Sequence, residues 1–140
     1  MLEIKDLCVQ LGSFSLKNID LDVRDGEYFV LLGPTGSGKT ALFETIAGLN
    51  AVGSGQIWIN GKDVTDLNLE QRRIGFAFQD YALFRHLSVR DNISFGLMWK
   101  DKKPGEIEKA VDQAIELLGL EGLLERRPWT LSGGESQKIA

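Results

Sequence analysis

The residue pattern with the clearest chemistry is a glycine-rich loop that ends in a lysine and a hydroxyl. The loop reads Gly33-Pro34-Thr35-Gly36-Ser37-Gly38-Lys39-Thr40 and matches G-x-x-x-x-G-K-[ST] at every fixed position. Glycines permit the positive φ angles that turn backbone N–H groups towards a phosphate. The Lys39 ammonium would contact the β- and γ-phosphates, and the Thr40 hydroxyl would coordinate Mg²⁺. We therefore predict that this loop, with Ala41 after it, binds a nucleoside triphosphate.

The segments on either side of the loop fit this prediction. Tyr28–Leu32 is a short apolar run, as expected of a strand buried on both faces of a parallel sheet. Apolar residues then recur at helical spacing from Ala41 until Gly48. The positive end of that helix would add to the field at the phosphate. A glycine-rich turn with a merely solvated lysine is the alternative, and a leading strand and a following helix disfavour it.

Most of the remaining N-terminal half reads as strands. Partial alternation of apolar residues predicts strands over Leu2–Val9 and Phe14–Val23. Gln56–Val64 predicts a hairpin, because Asn60-Gly61 is a strong turn signal. Ile74–Phe78 is a second apolar run and predicts a second buried strand.

The C-terminal half reads as helices. Ser88 can cap a helix that begins at Val89, with Asp91 as its third residue. Apolar residues from Ile107 to Leu118 follow a helical series, which Pro104 precedes and Gly119 ends. Strands followed by helices around a phosphate loop predict an α/β fold.

Composition excludes several classes of protein. The chain has 140 residues, 43% hydrophobic and 26% charged, so it reads as globular rather than disordered or fibrous. A net charge of -4 disfavours nucleic acid as the main partner. Cys8 has no second cysteine to pair with, which favours a reducing cytoplasm. No secretory signal and no apolar run long enough for a membrane helix is visible.

A second group of residues lies far from the loop in sequence. Gln79 follows the apolar run at 74–78, and Leu131-Ser132-Gly133-Gly134-Glu135 comes much later. Ser132 can open a helix, and two glycines would let backbone N–H groups approach a ligand closely. A plain helix cap needs the serine but not both glycines. Because the phosphate loop occurs in the same sequence, we predict that this segment contacts an anion.

In their order and spacing, these motifs resemble the ATP-binding cassette family, the motor subunits of ABC transporters. The resemblance implies a P-loop ATPase fold of ABC type, with an N-terminal antiparallel β subdomain and a helical subdomain. It implies that Gln79 reaches Mg²⁺ and the attacking water, and that Phe14 stacks on adenine. It also implies that the signature Ser132–Glu135 contacts the γ-phosphate held by a second subunit, in a head-to-tail dimer around two ATP molecules.

The resemblance extends over the chain and is strongest to the importer branch. It divides the chain into residues 1–81, the β subdomain and loop core; 82–131, the helical subdomain; and 132–140, the start of the signature helix. It implies transmembrane permease subunits as partners, at the inner face of the cell membrane. Within the branch the chain looks most like molybdate/tungstate importers. Arg85 and Ser136 depart from the usual proline and glutamine, and Arg85 and His86 belong to the surface expected to meet the permease.

Two other functions are alternatives to the ATPase. A small GTPase would place an aspartate after a strand, as Asp80 is placed, but Leu83 stands where D-x-x-G needs glycine. Asn60-Gly61-Lys62-Asp63 has the wrong order for the guanine-reading motif N-K-x-D. A nucleotide-binding module that does not hydrolyse is the other alternative.

The family's chemistry requires residues that this sequence does not contain. An apolar strand ending in aspartate and glutamate, and later a histidine, should follow the signature helix. We expect the chain to be the N-terminal piece of a longer cassette, with the C-terminal part of the core sheet missing. Cloning, gene disruption or an incomplete reading frame would produce such a piece. We expect it to be hydrolytically inactive because the group that orients water is lost.

Overall fold

The structure, a computed structural model, describes residues 1–97 and 104–140. The chain divides into two compact units, Met1–Phe76 and Ala77–Ala140. Residues 98–103 of the predicted helical subdomain lie outside the described residues. The division of the sequence at residues 81 and 131 stays a prediction.

The first unit contains an antiparallel sheet. Its strands are β1 (Leu2–Leu11), β2 (Phe14–Val23), β3 (Ser54–Ile59) and β4 (Lys62–Asp63), in the order β2-β1-β3-β4. Asn60 and Gly61 turn the β3–β4 hairpin with φ angles of 50° and 74°, as a type I′ turn requires. The strands predicted in these segments are therefore confirmed.

Two bulges interrupt the pairing of β1 with β2 and compensate each other. The register runs from Ile4↔Leu21 through Leu7↔Ile19 to Val9↔Leu16, so each strand in turn contains one extra residue. Those residues are Asp6 and Asn18, with φ angles of 47° and 50°. Their amides bond to side chains instead of the ladder: Asp6 N–H donates to Asp20 Oδ1 at 2.9 Å, and Asn18 N–H to Cys8 Sγ at 3.3 Å.

One helix packs on the sheet in this unit. Helix α1 (Lys39–Ala47) contributes Leu42 and Ile46 to a core that includes the strand residues Ile4, Leu7 and Ile57. It ends at Gly48, whose φ of 89° caps the last turn, as the sequence predicted. A short second helix, α2 (Leu69–Arg72), follows β4 and begins with a capping box made by Asn68 and Gln71.

The two predicted parallel strands are not strands in this structure. Tyr28–Leu32 and Ile74–Phe78 pair with no other strand among the described residues. Tyr28 is 93% exposed and Leu32 85%, so the first run is not buried either. An apolar run becomes a strand only when neighbouring strands pair with it, and no strand in the described part of the chain pairs with either run.

The second unit is helical. It contains α3 (Val89–Phe95), α4 (Pro104–Leu118) and α5 (Gly133–Ile139), with short 3₁₀ turns at Glu121–Leu123 and Pro128–Thr130. Its core is formed by Val89, Val111, Ile115, Leu120 and Ile139. The helix starts predicted from Ser88 and Ser132 are confirmed, whereas Pro104 is the first residue of α4 rather than the residue before it. None of the helices in the described ranges is long and apolar enough to cross a bilayer.

Candidate nucleotide-binding site

The phosphate loop lies immediately before α1, and its lysine folds back over it. Lys39 Nζ donates to the carbonyl oxygens of Gly33 and Pro34, each at 2.8 Å, and contacts Ser37 Oγ at 3.4 Å. Ser37 N–H donates to Pro34 O at 3.3 Å, which closes a turn in the loop. Within the described ranges, the ammonium thus contacts uncharged oxygens, and a phosphate would be a stronger partner.

The first turn of α1 offers backbone donors without a competing acid. Gly38 is the N-cap residue, with φ 94° and ψ 11°, and it has no side chain to accept from the helix amides. No acidic residue occupies the first turn. Amides at a helix start have no intrahelical acceptor, and the helix dipole is positive there, so the N–H groups of Lys39 to Ala41 suit an anion. The Thr40 side chain next to them is exposed.

Gly38 also brings Phe14 to the loop. A Cβ added at Gly38 would lie 2.6 Å from Cζ of Phe14 and 2.7 Å from Cδ2 of Leu16. The Phe14 ring therefore lies against the junction between the loop and α1. Sequence reasoning placed Phe14 at the base of the nucleotide, and the structure places its ring beside the loop that would hold the phosphates.

Gln79 belongs to the second unit and lies in a tight turn. Tyr81 N–H donates to Phe78 O at 3.0 Å, so Gln79 and Asp80 are the central residues of the turn. Both are exposed. Tyr81 and Ala82 follow with positive φ angles of 63° and 44°, which are costly for residues with a side chain.

The two predicted Mg²⁺ ligands belong to different units, and their role as ligands stays a prediction. The Thr40 hydroxyl and the Gln79 amide oxygen are each exposed, and each is a hard oxygen donor of the kind that Mg²⁺ selects. Mg²⁺ in nucleotide sites keeps few protein ligands and takes the rest from phosphates and water. Across the described ranges, no three His, Cys, Asp or Glu side chains cluster as a metal site of another type.

The signature residues form a capping box at the start of α5. Glu135 Oε2 accepts from the Ser132 backbone N–H and from the Ser132 hydroxyl, both at 2.7 Å. Glu135 N–H in turn donates to Ser132 Oγ at 3.3 Å. The hydroxyl hydrogen bond, followed by the backbone one, lowers the pKa of Glu135 from its ordinary value. Arg126 and Lys138 add smaller contributions in the same direction.

The two signature glycines have no role within the chain that requires glycine. A Cβ at Gly133 or at Gly134 would meet nothing within 4 Å, and neither residue has a positive φ. Glycine in a helix costs about 0.5–1 kcal/mol relative to alanine. Since no contact among the described residues compensates for this cost, the open space at both positions would allow a ligand to approach closely.

The loop that contains Arg85 and His86 is held from two sides. Asn92 Oδ1 accepts from Phe84 N–H at 2.8 Å, and Asn92 Nδ2 donates to Phe84 O at 3.1 Å. Arg127 donates to His86 O at 2.5 Å. The side chains of Arg85 and His86 are exposed, so this loop is fixed through its backbone and presents its side chains outward.

Sequence reasoning missed Arg72, which is buried beside the C-terminal end of α1. Its guanidinium donates to Thr45 O at 2.7 Å and Ile46 O at 2.8 Å. Nothing in Gln71-Arg72-Arg73 distinguishes a buried arginine from a solvated one. The local sequence carries no signal for this burial, because the α1 carbonyls that accept from Arg72 lie 27 and 26 residues away.

Comparison with known proteins assigns the fold and motifs to one family. The family model described as ABC transporter matches residues 16–140. The chain belongs to this family, and the fold is that of an ABC-type P-loop ATPase, as the motifs implied.

Curated relatives are import subunits, and they are longer than this chain. The sulfate/thiosulfate import ATP-binding protein CysA of Methylococcus capsulatus is 48% identical over 99% of this chain and 41% of its own length. The molybdate/tungstate import ATP-binding protein WtpC of Pyrococcus horikoshii is 44% identical over 100% of this chain and 41% of its own length. The chain thus spans about two fifths of the length of the relatives it matches.

A solved structure shares the fold. The ATP-binding cassette MJ0796, in a dimeric post-hydrolysis state with ADP and Pi, matches with a TM-score of 0.85 and 26% identity. The match covers 99% of this chain and 66% of that one.

Proposed function

We propose that residues 1–140 form the ATP-binding part of an ABC import ATPase. The observation that carries this proposal is the start of α1. The phosphate loop ends there in Gly38, an N-cap residue without a side chain, and the first helical turn begins with Lys39 and contains no acidic residue. This arrangement offers several N–H donors, one ammonium and a helix dipole to one anion. Membership in the family selects ATP as that ligand.

Each site residue has a distinct role in this proposal. The backbone of residues 33–41 surrounds the phosphates, and Lys39 exchanges its carbonyl partners for phosphate oxygens. Phe14 stacks on the adenine next to the loop. The Thr40 hydroxyl would coordinate Mg²⁺, which would neutralise phosphate charge when bound, and the family resemblance implies Gln79 as a further ligand. Gln79 also orients the attacking water.

The proposed assembly is a homodimer with two shared sites. Ser132 and the N–H groups of Gly133 and Gly134 would contact the γ-phosphate held by the partner subunit. Support comes from the open space around both glycines and from the dimeric cassette with the same fold. The loop containing Arg85 and His86 would meet a transmembrane permease subunit, which places the ATPase at the cytoplasmic face of the membrane.

The transported solute is proposed as an oxyanion. Relatives at 48% and 44% identity are named for import of sulfate or thiosulfate and of molybdate or tungstate. These solutes share a compact tetrahedral shape with negatively charged oxygens. A solute of this class is favoured over a sugar or a polyamine.

Nucleotide binding is tested with the Lys39→Ala variant. Loss of a charge-assisted contact costs about 1.5–3 kcal/mol, so the Kd for Mg·ATP should rise about 10- to 100-fold. Lys62→Ala is the matched control, because Lys62 is an exposed lysine of β4 outside the loop. The Kd values are measured with a fluorescent ATP analogue. Equal values for wild type and Lys39→Ala would refute the assignment of this loop as the ATP site.

The alternatives are separated by two further readouts. If GTP displaces the fluorescent analogue much more strongly than ATP does, the small-GTPase alternative is supported. We expect single-turnover hydrolysis by residues 1–140 to be undetectable, since no strand in the described residues ends in the aspartate and glutamate that the family resemblance requires. Hydrolysis that Lys39→Ala abolishes would overturn that expectation and leave the binding proposal intact.

A further inference from the structure

Arg72 makes a set of contacts that the proposed function does not use. Its side chain is only 5% exposed. Nη1 donates to Thr45 O and Ile46 O at 2.7 and 2.8 Å, Nη2 to Thr65 O at 2.8 Å, and Nε to Leu67 O at 2.7 Å. One guanidinium thus joins the last turn of α1 to the segment that follows β4.

The environment of this charge is unusual. A buried arginine is normally paired with a carboxylate, but among the described residues Arg72 forms no salt bridge. Asp66 favours its charge from a distance, while burial is the larger influence and lowers its pKa. The hydrogen-bond partners of Arg72 in the described part of the chain are backbone carbonyls, so the guanidinium serves as a planar fork of donors.

The contacts complete the C-terminal end of α1. The last carbonyls of a helix have no intrahelical partner and carry partial negative charge. Helix α1 has no basic residue in its own last turn, so Arg72 supplies that charge from another segment. Gly48 leaves room for it, because a Cβ there would lie 2.8 Å from Arg72 Nε.

Helix α1 connects the Arg72 hydrogen bonds at its C-terminal end to the phosphate loop at its start. The helix has nine residues and is therefore about 13 Å long. Its start bears Lys39 and Thr40, and its end is held by Arg72. A short, hydrogen-bonded helix moves nearly as a rigid rod, so displacement at its end displaces the amides at its start. Misplacement of about 1 Å in a site can cost a factor of 100.

We propose that Arg72 is a positioning residue for ATP: it fixes α1 from its C-terminal end and so places the phosphate-binding amides and Lys39. This inference rests on the proposed nucleotide site and extends it to a residue outside that site. It also implies the reverse effect, because coupling between two sites is reciprocal. Phosphate binding at one end of α1 should alter the hydrogen bonds of Arg72 at the other.

The first experiment uses the wild-type chain and NMR. Mg·ATP should shift the backbone amides of Gly36 and Gly38, and also the Nε–H resonance of Arg72. If the loop amides shift at saturation and Arg72 Nε–H does not, the inference is wrong and the nucleotide site stands. If neither shifts, the proposed function fails and the inference fails with it. A cap of purely local importance would leave the Arg72 resonance unchanged.

The second experiment compares Arg72→Lys with Arg73→Lys. Arg73 is the matched control, since it is the adjacent arginine and is exposed. Lysine retains the charge but not the planar fork. We expect the Kd for Mg·ATP to rise about tenfold in Arg72→Lys, within the usual range of coupling energies, and to stay unchanged in Arg73→Lys. Equal Kd values in a folded Arg72→Lys variant would overturn the proposal. If Arg72→Lys does not fold, the response of the wild-type Arg72 Nε–H resonance to Mg·ATP tests the proposal instead.

Discussion

Replacing Gly38 with alanine tests whether the loop geometry depends on a missing side chain. Gly38 has a φ of 94°, in the left-handed region that residues with a Cβ avoid. Its Cβ would also lie 2.6 Å from Phe14 Cζ and 2.7 Å from Leu16 Cδ2. Alanine must therefore strain the backbone and displace two side chains of the first unit.

Both effects contribute to the expected loss of stability. A left-handed residue with a side chain costs roughly 1–2 kcal/mol, and overpacking a filled site costs about 1–3 kcal/mol. Alanine also restricts the unfolded chain, which offsets about 0.4–1 kcal/mol. The free energy of unfolding of the first unit should therefore fall by about 1–4.5 kcal/mol.

Gly133→Ala is the matched control, with the opposite expected sign. Gly133 lies in α5, has no positive φ and has open space at its Cβ position. Alanine there removes only the entropic cost of glycine, so the second unit should gain about 0.5–1 kcal/mol. The same chemical change in the two glycine motifs thus separates a glycine required by the fold from one that the fold does not require.

Urea unfolding followed by tryptophan fluorescence can report both units. Trp58 lies in the first unit and Trp129 in the second, and a Trp99→Phe background leaves these two as the probes. A loss below about 0.5 kcal/mol in Gly38→Ala would refute the geometric argument, because that is the usual effect of an unremarkable surface substitution. A loss in Gly133→Ala would show that this glycine serves the fold after all.

Two further predictions concern the second unit. Because the folded pKa of Glu135 lies below its ordinary value of 4.5, the capping box contributes fully above that pH, and the contribution disappears as pH falls through the folded pKa. Urea midpoints measured from about pH 6 to pH 3 should therefore fall more in wild type than in Glu135→Gln, and parallel curves would contradict this. Asn92→Ala should cost about 2–3 kcal/mol, since it removes both hydrogen bonds to Phe84 and one to Ser88 O at 2.8 Å. Asn92→Asp, which retains the acceptor for Phe84 N–H, should lose less, and an equal loss in both variants would show that the acceptor contributes nothing.

Local signals predicted the elements whose causes lie within a few residues. Asn60-Gly61 turns the hairpin because those two residues tolerate positive φ. Ser88 and Ser132 begin helices because their side chains bond to amides three residues later. Gly48 ends α1 because glycine adopts the left-handed φ of a helix C-cap without steric cost.

Features that depend on distant partners were not predictable. Tyr28–Leu32 has the composition of a buried strand, but strand formation depends on neighbours that no local pattern encodes. The burial of Arg72 depends on carbonyls of Thr45 and Ile46, at sequence separations of 27 and 26. For the site, the pattern identified the loop and the signature, while the packing of Phe14 against Gly38 required coordinates.

The paired bulges have a consequence for encounters between copies of the chain. Strand β2 is at the edge of the sheet, and an open edge is a template for strand addition by another molecule. Asn18 breaks that edge near its middle, with a φ of 50°. An incoming strand would find two short stretches of donors and acceptors out of step rather than one continuous row. The irregularity that disturbs pairing inside the sheet therefore also makes the β2 edge a poor template for strand addition.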